Sequence, residues 1–228
     1  MKFIFIALLT LSLWIPRTLV AAVGCTLSSP AEDLKYLYPE MTSFKEQLFN
    51  FETLKEGKLL FEKAKERIGS DLDPVYETFE TPYTLYQVFS GEKLLGLVHG
   101  VNVPGQGGVI QVFLSLDPTT GAIQNFFFQR LQSPVASELK KKEFRDQFKG
   151  VTLGDFYAHD FYKSKSKPDP KDSLAKIHSP STSETGTKDF EASVRGIRKN
   201  LVLIDQFFFG NKFEPFYLRA QQSLKQAK

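Results

Sequence analysis

The sequence predicts an α+β protein, an antiparallel sheet with packed helices, preceded by a signal or anchor segment. Three observations predict it. Apolar residues alternate with period two in runs between Tyr83 and Arg130, separated by turn residues. A single apolar stripe at helical spacing follows from Phe190 to Phe208, and a nearly unbroken apolar run opens the chain. At 228 residues and 42% hydrophobic content, the chain suffices for one domain with extensions and a substantial core. Disorder and collagen-like or disulfide-stapled folds are excluded as the main state. The lone Cys25 also excludes CxxC zinc sites, c-type haem attachment and cysteine-ligated iron–sulfur clusters, each of which needs several thiolates or a CxxCH run.

Lys2 precedes the apolar run Phe3 to Trp14, in which only Thr10 and Ser12 are polar, the arrangement of a secretory signal. Pro16 and Arg17 interrupt the run before it resumes at Leu19 to Val23, which makes residues 1–24 a poor continuous membrane span. Cleavage is expected either near Val20-Ala21-Ala22 or just before Cys25. Ala22-Val23-Gly24-Cys25 resembles a bacterial lipobox with Ala in place of Leu, so Cys25 is a candidate lipidation site. An uncleaved anchor, or an unpaired cysteine in an exported chain, is the alternative. Either way the protein is expected in the periplasm or cell envelope, on a membrane. Lys2 and Arg17 are two of the 29 basic residues, so the chain from residue 25 carries 27 bases against 26 acids. That balance gives no electrostatic case for nucleic acid.

Residues 25–82 read as a helical N-terminal extension. Leu54, Leu59, Leu60, Phe61, Ala64 and Ile68 recur near the helical period between Gly57 and Gly69, and a linker with Pro74 and Pro82 follows. Residues 83–210 form the main domain. Leu85–Phe89 is a strand, Ser90-Gly91-Glu92-Lys93 a hairpin turn, and Leu94–Val101 its partner. After a glycine loop at Pro104–Gly108, Val109–Leu116 and Ala122–Arg130 pair antiparallel across Asp117-Pro118-Thr119-Thr120-Gly121, which supplies Pro and Gly at turn positions. Ser137 is placed to cap a helix through Leu139, Phe144 and Phe148, closed by Gly150. Residues 163–187 are a polar loop. The final helix buries Phe190, Val194, Ile197, Leu201, Ile204 and Phe208 and turns Glu191, Arg195, Arg198 and Lys199 away, with Thr187 and Asp189 as capping candidates. Residues 211–228 are left as a C-terminal tail.

Several segments stand in a particular order: Gly107-Gly108-Val109-Ile110-Gln111-Val112, Asp117, Gly121-Ala122-Ile123, Phe144-Arg145-Asp146-Gln147-Phe148-Lys149-Gly150, and Glu184-Thr185-Gly186-Thr187 ahead of an apolar helix. Together, over about Tyr83 to Phe209, they resemble the periplasmic FMN-binding domain of the flavin subunits of the sodium-pumping quinone reductase and the Rnf electron-transport complex. The resemblance implies FMN joined by a phosphoester to the last Thr of a Ser/Thr-Gly-Ala-Thr motif, attached by a separate flavin transferase that uses FAD. Thr187 falls on that Thr. The position suits a phosphate, which is favoured by the free N–H groups and positive dipole end of a helix N-terminus. Thr185, Gly186 and Lys188 would adjoin it, with Arg195 adding charge. Gly107 and Gly108 would let the backbone approach a flavin ring, or simply form a turn or bulge. Ser133, in Leu131-Gln132-Ser133-Pro134-Val135, stands where the family's Glu-Thr-Pro-Gly-Leu-Gly bounds the flavin pocket.

The implied function is an exported, membrane-associated FMN-binding electron-transfer protein, a carrier or redox-complex component with redox partner proteins rather than a stand-alone enzyme. Glu184-Thr185-Gly186-Thr187 departs from the family motif, which supports a flavin-free envelope binding or assembly module with the same fold as the alternative. A third reading is a small-molecule-binding lipoprotein that uses the Phe-rich sheet as a pocket. Phe126, Phe127 and Phe128, like Phe207 to Phe209, read first as core. His99, His159 and His178 have no metal-ligand spacing, and no hydrolase elbow, Rossmann or P-loop motif occurs.

Overall fold

Five strands in chain order make one antiparallel sheet: β1 (Ser43–Phe49), β2 (Tyr83–Ser90), β3 (Lys93–Pro104), β4 (Val109–Leu116) and β5 (Ile123–Leu131). Each strand pairs with its sequence neighbour; short connections join β2 through β5 in succession, whereas residues 50–82 connect β1 to β2. The computed structural model describes residues 25–158, 174 and 176–226. The leader over 1–24, His159 and most of the polar loop between residues 163 and 175 lie outside the described residues.

The two hairpins follow their turn chemistry. Gly91 takes φ +57 between Ser90 and Lys93, which face each other. At the β4–β5 turn, Asp117 Oδ1 accepts from the Thr119 and Thr120 amides at 3.0 and 2.7 Å, and Gly121 at φ +78 closes the turn onto the Asp117 carbonyl. These bonds, the Thr120 amide first, hold the Asp117 carboxyl below its usual range. The region read as a helical extension contains α1 (Pro30–Leu37) and α2 (Gly57–Ile68), but β1 lies between them and pairs with β2 from Ser43↔Phe89 to Phe49↔Tyr83. Its charged, largely exposed residues are those of an edge strand, and only the pairing distinguishes them from a polar helix.

Both faces of the sheet are covered. On one lies α6 (Glu184–Phe207), whose Val194, Ile197, Val202 and Ile204 are fully buried with Val112, Leu114, Leu116 and Phe126 of the sheet. Burial of each such side chain stabilises the fold by roughly 1.5–3 kcal/mol as an upper bound. Within α6 a second row runs along the helix, Asp189, Ser193, Gly196 and Asn200, all buried. Gly196 allows close approach, since a Cβ there would sit 3.0 Å from Val112 Cγ1 and 3.2 Å from Val103 Cγ2. Asn200 Nδ2 donates to the His99 and Val112 carbonyls at 2.9 and 3.2 Å, and its Oδ1 lies 2.6 Å from His99 Nδ1.

The opposite face is covered by α1 and the strap ahead of it. Cys25 bridges Gly100 where the β2–β3 pairing ends, and Cys25, Leu27, Leu34, Leu37 and Tyr38 form a cluster with Tyr86, Val88, Val98 and Phe113. Polar bonds stitch the strap down: the Leu27 amide donates to Tyr86 Oη at 3.1 Å, the Ser28 amide to Gln129 Oε1 at 2.9 Å, and Gln129 Nε2 to the Thr26 carbonyl at 3.1 Å.

Three further findings depart from the sequence reading. The helix expected from Ser137 to Gly150 is broken into α3 (Ala136–Leu139) and α4 (Lys142–Asp146), and Ser137 bonds Glu138 instead of capping. Lys199, assigned to the outer side of its helix, is 1% exposed; its ammonium donates to Glu77 Oε2, to the Asp71 carbonyl at 2.8 Å and to the Asn102 carbonyl at 3.0 Å. It thereby holds the segment after α2, and Arg195 helps through a 2.9 Å pair with Asp71. A second buried pair, Arg67 with Asp205 at 2.6 Å, joins α2 to α6, and Arg67 also donates to Tyr157 Oη on α5 (Leu153–Ala158). The segment left as a tail carries α7 (Glu214–Gln226), tied to α2 by Lys63–Glu214 at 2.7 Å and to α5 by Tyr157 against Tyr217. Glu214 and Pro215 open it, a helix-start signal present in the sequence.

Candidate functional site

Three of the segments singled out in the sequence, the glycine loop, the Ser133 turn and the start of α6, meet at one end of the sheet, whereas Asp117 and Gly121 turn the chain at the opposite end of β4, where Gly150 bonds Ile123. The loop Pro104–Gly108 between β3 and β4 closes through the Gly105 amide to the Gly108 carbonyl at 2.9 Å. Its Gln106 amide donates to Asp189 Oδ1, in the second turn of α6, at 2.7 Å. On its other side a Cβ on Gly107 would lie 2.4 Å from the Gln132 carbonyl oxygen, and one on Gly108, which takes φ +133, 2.1 Å from Gln132 Oε1. Gly107 and Gly108 thus pack on the turn that carries Ser133, and at Gly107 the Gln132 backbone leaves no room for a side chain. Ser133 orders its own turn, its Oγ accepting from the Val135 amide at 3.2 Å and its carbonyl from Ala136 at 3.2 Å.

The helix α6 begins at Glu184, not at Asp189. Ser183 caps it, Oγ accepting from the Gly186 amide at 3.1 Å, and its carbonyl receives the Thr187 amide at 2.9 Å. Neither proposed cap acts, and the whole Glu184-Thr185-Gly186-Thr187 motif is the first turn rather than the loop before it. Serines support the cap from outside: Ser181 Oγ lies 3.0 Å from Ser183 Oγ and accepts from the Ser183 amide at 3.2 Å. Gly186 is required there, since a Cβ would meet Ser181 Oγ at 2.4 Å. Thr185 is exposed and Thr187 half-buried, its hydroxyl without a hydrogen bond among the described residues. Lys188 pairs with Glu184 at 2.6 Å on the surface, so its charge is balanced locally. Arg195 is two turns further on and engaged with Asp71.

Asp189 is the residue that sequence reasoning undervalued. It is fully buried, one carboxyl oxygen holds the glycine loop, and the other, Oδ2, is shielded from solvent with no partner among the described residues. A buried acceptor left unmatched is unfavourable by about 1–3 kcal/mol, so a donor-bearing ligand would be stabilised there. The signal was available: Asp189, Ser193, Gly196 and Asn200 repeat at 4, 3 and 4, a row as regular as the apolar stripe.

Other candidates occupy different places. Cys25 is 5% exposed, and burial, partly offset by a bond with Gln111, pushes its thiol up to about 11. A lipid on that sulfur would have to leave the cluster in which the side chain packs. His99 is buried against Asn200, and burial lowers its imidazole to about 4. His178 lies exposed on the loop. No group of three or more metal-ligating side chains occurs among the described residues, and no described helix is long and apolar enough to cross a membrane. Phe126 and Phe128 belong to the core under α6, whereas Phe127 packs on the opposite face.

No family model matches the sequence, and comparison with curated proteins finds no relative. Among solved structures, the chain is similar to NqrC of Shewanella oneidensis, whose crystal structure superposes with a TM-score of 0.49 at 15% identity over 89% of this chain and 94% of that one.

Proposed function

We propose that the chain is an exported, membrane-associated FMN-binding electron-transfer protein whose flavin sits at the Thr187 end of α6. The observation that carries this reading is the Gln106–Asp189 hydrogen bond of 2.7 Å. Together with the contact of Gly107 on Gln132, it brings into one place the glycine loop, the turn that carries Ser133 and the start of α6, the parts that the resemblance to the FMN-binding domain assigns to the flavin. The residues present are compatible with the group. Thr187 offers a hydroxyl without a hydrogen bond among the described residues in the first turn of a 24-residue helix, where a phosphate is favoured. Asp189 Oδ2 is an unmatched acceptor suited to a ribityl hydroxyl or the ring imide N–H. The glycine loop lies against Asp189 through Gln106 and against Gln132 through Gly107 and Gly108.

FMN would supply reversible electron exchange through its isoalloxazine, and the chain would hold and orient it. Thr187 would bear the phosphoester, placed by a flavin transferase. Ser183 would fix the helix mouth, and the Lys188–Glu184 pair would flank it. In this reading the chain would serve redox partners as a carrier. Membrane attachment is assigned to the leader, because the burial of Cys25 argues against a lipid on its sulfur.

The second reading, a flavin-free envelope module, is favoured by one observation: the spaces beside Gly107, Gly108 and Gly186 are filled by Gln132 and Ser181 of the chain itself. Purification after coexpression with a flavin transferase separates the two. The carrier gives a yellow protein that stays coloured after denaturation in the parent and is colourless as Thr187→Val. A colourless parent supports the flavin-free module.

A further inference from the structure

Along the outer edge of β5 a cleft of about 330 Å³ opens, lined by Tyr36 of α1, Phe127 and Phe128 of β5, Lys140 after α3 and Arg145 of α4. Its walls are fixed. Phe127 stacks on Phe113, with centroids 5.5 Å apart and planes 14° apart, and Tyr36 meets Phe127 edge-on at 6.5 Å. Arg145 is held across the mouth by one nitrogen, Nη1, which donates to Tyr36 Oη at 3.1 Å and to the Phe126 carbonyl at 3.3 Å.

The charge in this cleft is not balanced. Lys142 and Lys149, on either side, both pair with Asp146, but neither Lys140 nor Arg145 has an anionic partner among the described residues. Arg145 Nε is shielded from solvent and makes no hydrogen bond, and no bond to Nη2 occurs among the described residues. A carboxylate in the cleft would be met by Arg145 Nη2 and the Lys140 ammonium, each a charge-assisted donor. Aromatic faces beside it favour a flat ring, and the volume is that of a small-molecule site.

We propose that this cleft binds a planar aromatic carboxylate, its ring against Phe127 and Tyr36 and its carboxylate on Arg145 and Lys140. The proposal is independent of the flavin reading, so it is tested on Thr187→Val protein, which carries no flavin at that residue under either account. 2-Naphthoate is the probe, titrated calorimetrically against the uncharged 2-naphthylmethanol. The expected result is one saturable site with Kd on the order of 100 µM. The alcohol binds at least ten-fold more weakly, Arg145→Gln raises Kd at least ten-fold, and Lys140→Gln raises it several-fold. Lys140 is exposed, so its variant keeps the test valid even if Arg145→Gln disturbs the Tyr36 and Phe126 contacts. Equal binding of acid and alcohol, unchanged Kd in the Lys140 variant, or no saturation by about 5 mM probe would overturn the proposal.

Discussion

Cys25 shows how burial changes the chemistry of a single side chain. A thiol pushed up to about 11 and packed against Tyr86 and Phe113 has little thiolate at pH 8. Thiol–disulfide reagents are therefore expected to label native protein about two orders of magnitude more slowly than unfolded protein. Fast native labelling would mean that the strap from Cys25 to Ser29 opens. His99 makes a prediction with a definite sign. Burial lowers its ring to about 4 in the fold, against about 6.5 when unfolded, so between those values the folded state binds fewer protons. Its contribution is complete above about pH 6.5 and is lost as pH falls toward 4, by roughly 3 kcal/mol in total. Denaturant unfolding at pH 7.5 and pH 4.5 should show this loss in the parent and a smaller one in His99→Gln. Parallel profiles would contradict it.

At the scale of elements, α6 is the test of packing. Ile197 is fully buried under the sheet, and Ile197→Asp places an unpaired carboxylate there, so a loss of about 3–5 kcal/mol and a correspondingly lower Tm are expected. An unchanged Tm would contradict the placement of the stripe. The stripe was legible because only one phase of the 3.6 period puts Ile197, Leu201 and Ile204 together. The β4–β5 hairpin was legible because Asp117 and Gly121 dictate their turn locally. The start of α6 was not, since Ser179 to Thr187 offers many hydroxyl caps and the choice of Ser183 depends on packing around Ser181 and Gly186. β1 and Lys199 escaped for one reason: each is charged in sequence and acquires its role only from a distant partner, β2 for the strand and Glu77 for the lysine. At the candidate site, the glycine loop and Thr187 were visible as motifs. Asp189 was visible only as a cap, because its bond to Gln106 spans 83 residues.

For the whole molecule, the segment over 25–82 is part of the architecture that holds the candidate site. It supplies the edge strand β1, the layer over Tyr86, Val98 and Phe113, and the Arg67 that neutralises Asp205 inside α6. A fragment of residues 83–210 is thus expected to lack a cooperative thermal transition, because it exposes one whole face of the sheet and leaves Asp205 buried without its cation. A transition near the parent Tm would show that the segment is dispensable. With that framework in place, the central claim is that the Thr187 end of α6 carries a flavin. Its most direct test is tandem mass spectrometry of the tryptic peptide Ile177–Lys188 from protein made with a flavin transferase. The account predicts that Thr187 bears the mass of one FMN less one water, and an unmodified peptide from otherwise folded protein would contradict it.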